Sequence, residues 1–204
     1  MIAETALPSK SGRIVLVPPS ESDDEPFPAL RSSDPETRRH LAFFPENFSV
    51  ADARAMRLAR AADPTVIPYN IHTLSATENT PAGTFVGETG LTHIETDYGR
   101  SCETGIVISP AFFRTGLATD ALYTLLTNAF EDRKFHRVEF ITAVDNLAMR
   151  AWLEKAGVTL EGTRRGFWYG AGPDGYTDVA MYGILEGEWA TVKGRLDDQM
   201  KQRR

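Results

Sequence analysis

Cysteine is nearly absent from this chain of 204 residues; Cys102 is the only one. No disulfide can close within it, and a cysteine-rich metal site is excluded. The four histidines, His40, His72, His93 and His136, are scattered without the short spacing of zinc ligands, so no metal is expected. No apolar run approaches the ~18–20 residues of a membrane span. Residues Met1 to Gly12 lack the long apolar core and dense positive charge of a secretory signal. No run of Lys or Arg marks a nucleic-acid face, and the net charge is −6. These absences point to neither membrane nor nucleic acid, and leave the cytoplasm as the expected compartment.

What is present suits one globular domain: 42% of residues are hydrophobic and 25% charged. Residues 1–12 read as a loose leader, 13–185 as the domain and 186–204 as a charged C-terminal helix. Arg13 to Val17 is β-rich and stopped by Pro18-Pro19. Residues 20–30 are acidic and broken by proline. Ser33-Asp34-Pro35-Glu36 and Ser49-Val50-Ala51-Asp52 are helix starts, the second opening a run to Ala62 that Asp63-Pro64 ends. Val66–Leu74, Thr84–Ile94 and Cys102–Ile108 predict an antiparallel meander, with Gly87 and Gly90 allowing a bulge. Thr119 to Phe130 places Leu122, Leu125, Leu126, Ala129 and Phe130 on one helical face. A strand over Arg137–Val144 and a helix over Asn146–Ala156, stopped by Gly157, follow. Strands start at Val158 and Tyr176, around a loop at 170–175, and Glu186 to Gln202 is helical. The order predicts a mixed α+β sheet protein.

Between the third meander strand and its following helix lies Phe113-Arg114-Thr115-Gly116-Leu117-Ala118-Thr119. The first N–H groups of a helix have no internal partner, and the helix dipole makes that end partly positive. A strand, a small-residue turn and a helix start can therefore hold a phosphate, with Gly116 and Ala118 keeping side chains clear. The same pattern also serves as plain connection.

Several further motifs stand in register. Gly83 to Leu91 (GTFVGETGL), Glu103 to Pro110 (ETGIVISP), Phe113 to Leu122 (FRTGLATDAL), His136-Arg137-Val138-Glu139, Asn146-Leu147-Ala148 with Leu153 to Gly157 (LEKAG), Leu160-Glu161-Gly162 and Asp178 to Tyr182 (DVAMY) follow one another. In this order they resemble the GNAT superfamily of N-acetyltransferases, and within it the RimJ/RimL-like branch. The resemblance spans residues 84–185 and extends toward Arg13. It implies the GNAT fold: a mostly antiparallel twisted sheet with splayed middle strands, flanked by helices. It implies acetyl-CoA as cosubstrate and a primary amine as acceptor, of a peptide or protein N-terminus or of a small molecule. The pyrophosphate would lie on Phe113, Arg114, Thr115, Gly116, Leu117, Ala118 and Thr119. The pantetheine arm would pair like a strand with Val107 and Ile108, and Asn146 would either bond that arm or simply cap its helix.

For catalysis the resemblance implies direct attack of the amine on the thioester, aided by a base. Glu103 is the first candidate base, Asp178 the second, and His93 lies on a strand facing the same region. Two departures stand out. Relatives often carry Tyr and Ser, four and eight residues before the helix-ending glycine; here those places hold Leu153 and Met149. Acid duty then falls to Tyr176, Tyr169 or a water, or to no group at all. A catalytically weak CoA-binding relative, acting as a sensor or partner-binding protein, therefore stays open, as does a homodimer. Trp168, Tyr169 and Tyr176 around the glycine-rich loop either wall the acceptor pocket or pack at the sheet edge.

Overall fold

The computed structural model describes residues 5–32, 38, 40, 41, 45, 47–77, 80–169 and 175–202. Among these the element order is β1 (Leu7–Pro8), β2 (Ile14–Val17), α1 (Phe27–Ser32), α2 (Val50–Ala62), β3 (Ile67–Thr73), β4 (Phe85–Glu95), β5 (Ser101–Ile108), α3 (Leu117–Thr127), β6 (Arg137–Ala143), α4 (Leu147–Ala156), β7 (Thr159–Tyr169), β8 (Tyr176–Leu185) and α5 (Trp189–Lys201). The eight strands form one sheet in the order β1-β2-β3-β4-β5-β6-β8-β7. Every neighbouring pair is antiparallel except β5 and β6. The helix start expected at residues 33–36 and most of the loop expected at 170–175 lie outside the described residues.

Local chemistry accounts for the helix boundaries. Ser49 Oγ accepts the Asp52 N–H at 3.2 Å, and Asp52 Oδ2 accepts the Ser49 N–H at 2.8 Å, a reciprocal cap that starts α2. Asn146 Oδ1 accepts the Met149 N–H at 3.2 Å and starts α4, which Gly157 ends in the left-handed region. Helix α3 is buried on nearly all sides, because the sheet covers one face and α5 the other. Leu122, Leu125, Leu126, Ala129 and Phe130 all lie in the core, with Ile14, Ile71, Leu91 and Leu196. The last two of that helical face sit in a π turn, Asn128–Asp132, that extends α3.

Three expectations need correction. Residues 7–12 are not a loose leader: Leu7 and Pro8 pair with β2, Lys10 Nζ meets Asp197 Oδ1 at 2.6 Å, and Ser11 Oγ donates to Asp120 Oδ2 at 2.7 Å. The acidic segment 20–30 is not broken at Pro28, because Pro28 occupies the second position of α1, where its missing N–H costs no helical bond. The β4 irregularity toward β3 falls at Val86, between the pairs Ile71–Gly87 and His72–Phe85, and Gly90 stays in register.

Residues opposite one another in a ladder share a face of the sheet. Glu88 stands opposite Val107, Thr92 opposite Glu103, and Glu103 opposite Glu139. Glu88, Glu103, Gly105, Val107 and Glu139 therefore line one face. Cys102, Thr104 and Ile108 line the other, toward α3. Helices α1 and α2 cover the first face over β3 and β4, where Arg31 and Arg60 meet Glu88.

Candidate active site

The sheet opens at its centre. Strands β5 and β6 are paired at only three positions, Ser101–Arg137, Cys102–Val138 and Glu103–Glu139. Beyond them β5 stays paired to β4 as far as Ile108, and β6 to β8 as far as Ala143. From Thr104 and Phe140 onward the two strands part, leaving the facing main-chain groups without a strand partner. Such an edge accepts an extended ligand as it would another strand. Gly105 is exposed although it lies on a central strand, and a side chain built there would meet nothing within 4 Å. Val107 and Ile108 lie on the parted stretch of β5.

The turn at the end of β5 leads into α3. A short 3₁₀ turn, Pro110–Phe112, is followed by Arg114 at φ 62° and Gly116 at φ 85°. Gly116 is the N-cap of α3 and has no side chain to close the helix end. The amides of Gly116 and Ala118 have no acceptor among the described residues, whereas those of Thr119 and Asp120 bond the Gly116 carbonyl at 3.1 and 3.2 Å. Unpaired N–H groups at a helix start, with a left-handed glycine before them, suit a phosphate. The side chains of Phe113, Arg114 and Thr115 are exposed, Leu117 is buried and Ala118 packs on the core. Behind the turn, Arg13 Nη1 donates to the Thr115 carbonyl at 2.9 Å, and Arg13 Nε to Asp120 Oδ2 at 2.8 Å. These residues fit the diphosphate of a CoA, and the parted strands fit its arm. Asn146 stands across the gap; its Oδ1 caps α4 and its Nδ2 has no acceptor among the described residues.

Glu103 occupies the last paired position before the gap. A bulge in β4 between Thr92 and Glu95 puts His93 at φ 49° and brings its Nδ1 to 3.2 Å from Glu103 Oε2. Bulges re-aim side chains in this way, and a non-glycine residue at positive φ is uncommon. Burial raises the pKa of the Glu103 carboxyl; His93 opposes the rise and the Glu139 charge adds to it. A carboxylate of raised proton affinity suits a general base. Glu139 was missed by the sequence reading, although its motif was noted. It is held by Arg137 Nε at 2.6 Å, and Arg137 also grips Glu161 across Gly183. A side chain at Gly183 would strike the Glu161 carboxylate at 2.7 Å, so the glycine leaves room for that bridge.

The other named residues lie elsewhere. Asp178 is at the far end of the gap, where its carbonyl accepts the Val144 N–H at 3.0 Å. Its Oδ1 accepts the Gly166 N–H at 2.7 Å and so fixes the irregular stretch of β7. Val144, bonded to the Asp178 carbonyl, is five positions along the chain from Glu139, roughly 16 Å at strand rise. Tyr176 and Tyr169 pack edge to face at 5.3 Å between centroids, both exposed, on the outer hairpin. Leu153 is fully buried and Met149 packs on the core, so neither position offers a proton donor. Among the described residues no group of three or more His, Cys, Asp or Glu side chains could hold a metal, and no helix is long and apolar enough to cross a membrane.

The chain belongs to the acetyltransferase (GNAT) domain family, whose model matches residues 13–159. It is 35% identical over 94 residues to YdaF of Bacillus subtilis (strain 168), a provisionally named ribosomal N-acetyltransferase, a match covering 46% of this chain and 50% of that protein. The chain thus spans about half the length of that curated relative. A crystal structure of a provisionally named acetyltransferase from T. thermophilus is 26% identical with a TM-score of 0.72, covering 92% of this chain and 93% of that one. Mycobacterium smegmatis RimJ, solved with CoA-disulfide, shares the fold at a TM-score of 0.79 and 20% identity, covering 96% of this chain and 93% of its own.

Proposed function

We propose that this protein transfers the acetyl group of acetyl-CoA to a primary amine. The observation that carries the reading is the gap between β5 and β6 beginning at Glu103 and standing beside the free amides of Gly116 and Ala118. The turn holds the diphosphate, the β5 edge at Val107 and Ile108 holds the arm, and Asn146 Nδ2 bonds it from the other side. The acceptor is an amine of a peptide or protein N-terminus or of a small molecule.

The reaction is a direct displacement. The amine nitrogen attacks the thioester carbonyl, the C–N bond forms, the C–S bond breaks, and CoA leaves as its thiolate. Glu103 takes the proton the nitrogen must lose, directly or through a water, and its raised pKa makes it a better base. The protonated carboxyl then returns that proton to solvent. A thiolate is a fair leaving group, so the reaction proceeds without a dedicated acid at Met149 or Leu153.

Those two apolar side chains also favour a second reading, a CoA-binding relative with weak turnover. Release of free CoA thiol, followed with a thiol reagent, separates the two across a panel of free N-terminal peptides, small amines and amine-blocked controls. Turnover with any free amine and none with the blocked controls supports the transferase. Saturable acetyl-CoA binding without turnover throughout the panel supports the second reading.

A further inference from the structure

Strands β5 and β6 part, but the helices that follow them are tied. Trp152 on α4 donates its indole N–H to Thr119 Oγ1 in the first turn of α3, at 3.1 Å, across 33 residues of sequence. The indole rests on Phe140 of β6, with centroids 6.3 Å apart, and Thr119 is 3% exposed. Both helices lean on α5, and this bond joins them directly. Its geometry is specific to Thr119. Two other threonines of the same helix, Thr124 and Thr127, donate back to the carbonyls of Asp120 and Tyr123 at 2.8 Å, an ordinary use of a helical threonine. The corresponding carbonyl for Thr119, that of Thr115, is taken by Arg13. Thr119 Oγ1 receives Trp152 three residues after Gly116, and Trp152 sits six residues after Asn146.

We infer that Trp152 is a positioning residue: its bond to Thr119 sets the spacing between the phosphate-binding start of α3 and the start of α4 that faces the gap. This rests on the acetyl-CoA reading above. A ligand that engages both elements at once needs that spacing, because its arm is joined to its diphosphate and has limited reach. A ligand confined to the turn does not. The tie therefore selects for the whole cofactor over its nucleotide half.

The test measures acetyl-CoA and 3′-phospho-ADP, the nucleotide half alone, by calorimetry on the full chain. Trp152→Phe keeps a ring and removes the donor; Thr119→Val keeps the shape and removes the acceptor; Thr119→Ser restores the acceptor. Each of the first two weakens acetyl-CoA about 5–10-fold, the size of one lost hydrogen bond, and the double variant is no worse. Thr119→Ser stays near wild type, and 3′-phospho-ADP binds Trp152→Phe within twofold of wild type. Unchanged acetyl-CoA affinity, additive losses in the double variant, or equal losses for both ligands would overturn the inference. If the wild type itself fails to bind acetyl-CoA, the donor reading falls first and this one with it.

Discussion

On the side of the sheet that carries α3, the groups proposed to face the cofactor are main-chain amides: those of Gly116 and Ala118 have no acceptor among the described residues, and the preceding side chains, Phe113 to Thr115, are exposed. On the opposite side lie the carboxylates of Glu88, Glu103 and Glu139, each beside a basic side chain. Arg31 and Arg60 hold Glu88, His93 faces Glu103, and Arg137 holds Glu139. On the proposed reading the first region should tolerate the loss of a side chain and be damaged by the gain of one. The second depends on which side chain is there. On the proposed reading, one sheet separates a donor site built from backbone from an acceptor face built from charge.

The sharpest test of the acceptor face is Glu103→Gln, which keeps the shape and removes the base. It lowers kcat about 100-fold or more and leaves the acetyl-CoA Kd within twofold. A parallel loss of donor affinity, measured by calorimetry beside steady-state kinetics, would erase the separation of the two sites. Asp178→Asn is milder. Because Asp178 bonds the Gly166 amide at the far end of the gap, kcat falls less than about fivefold. A loss matching that of Glu103→Gln would move the base to Asp178. Glu139→Gln is smaller still at neutral pH. Its charge raises the pKa of Glu103, so removing it lowers that pKa, and the acid limb of kcat/KM moves to lower pH. Movement to higher pH, or none, would detach Glu139 from the site. The smallest effect belongs to the donor side. Arg114→Ala leaves acetyl-CoA affinity within about threefold, since the amides rather than this exposed side chain hold the phosphates. A tenfold loss would give the guanidinium a share of the binding.

The same contrast explains what could be read from the sequence. The turn at Gly116, the caps at Ser49 and Asn146, the stop at Gly157 and the buried face of α3 are set by residues within a few positions of one another. Each was visible as a local pattern. The splaying of β5 from β6 came from the family resemblance, because a parting of strands leaves no mark in composition; that three positions stay paired came from the structure. The long-range side-chain partnerships were not visible. Arg31 meets Glu88 from 57 residues away, Arg13 meets Asp120 from 107, and Trp152 meets Thr119 from 33. Nothing local to either partner announces such a pair. Glu139 illustrates the limit: its motif was recognised, but its place opposite Glu103 follows only from the ladder. Residues 7–12 failed for the same reason, since their partners, β2, Asp120 and Asp197, are supplied by the fold.

The central claim is that main-chain amides at the start of α3 hold acetyl-CoA, and Gly116→Glu tests it most directly. Gly116 sits at φ 85° with its amide free, so a glutamate there brings both a side chain and a negative charge against the phosphates. Calorimetric titration of acetyl-CoA into the wild type and the variant, with circular dichroism and thermal melting to verify that the variant is folded, gives the answer. Saturable binding to the wild type and none to the folded variant is the expected result. Equal affinity in both would show that the turn is a connection and that CoA, if bound, lies elsewhere.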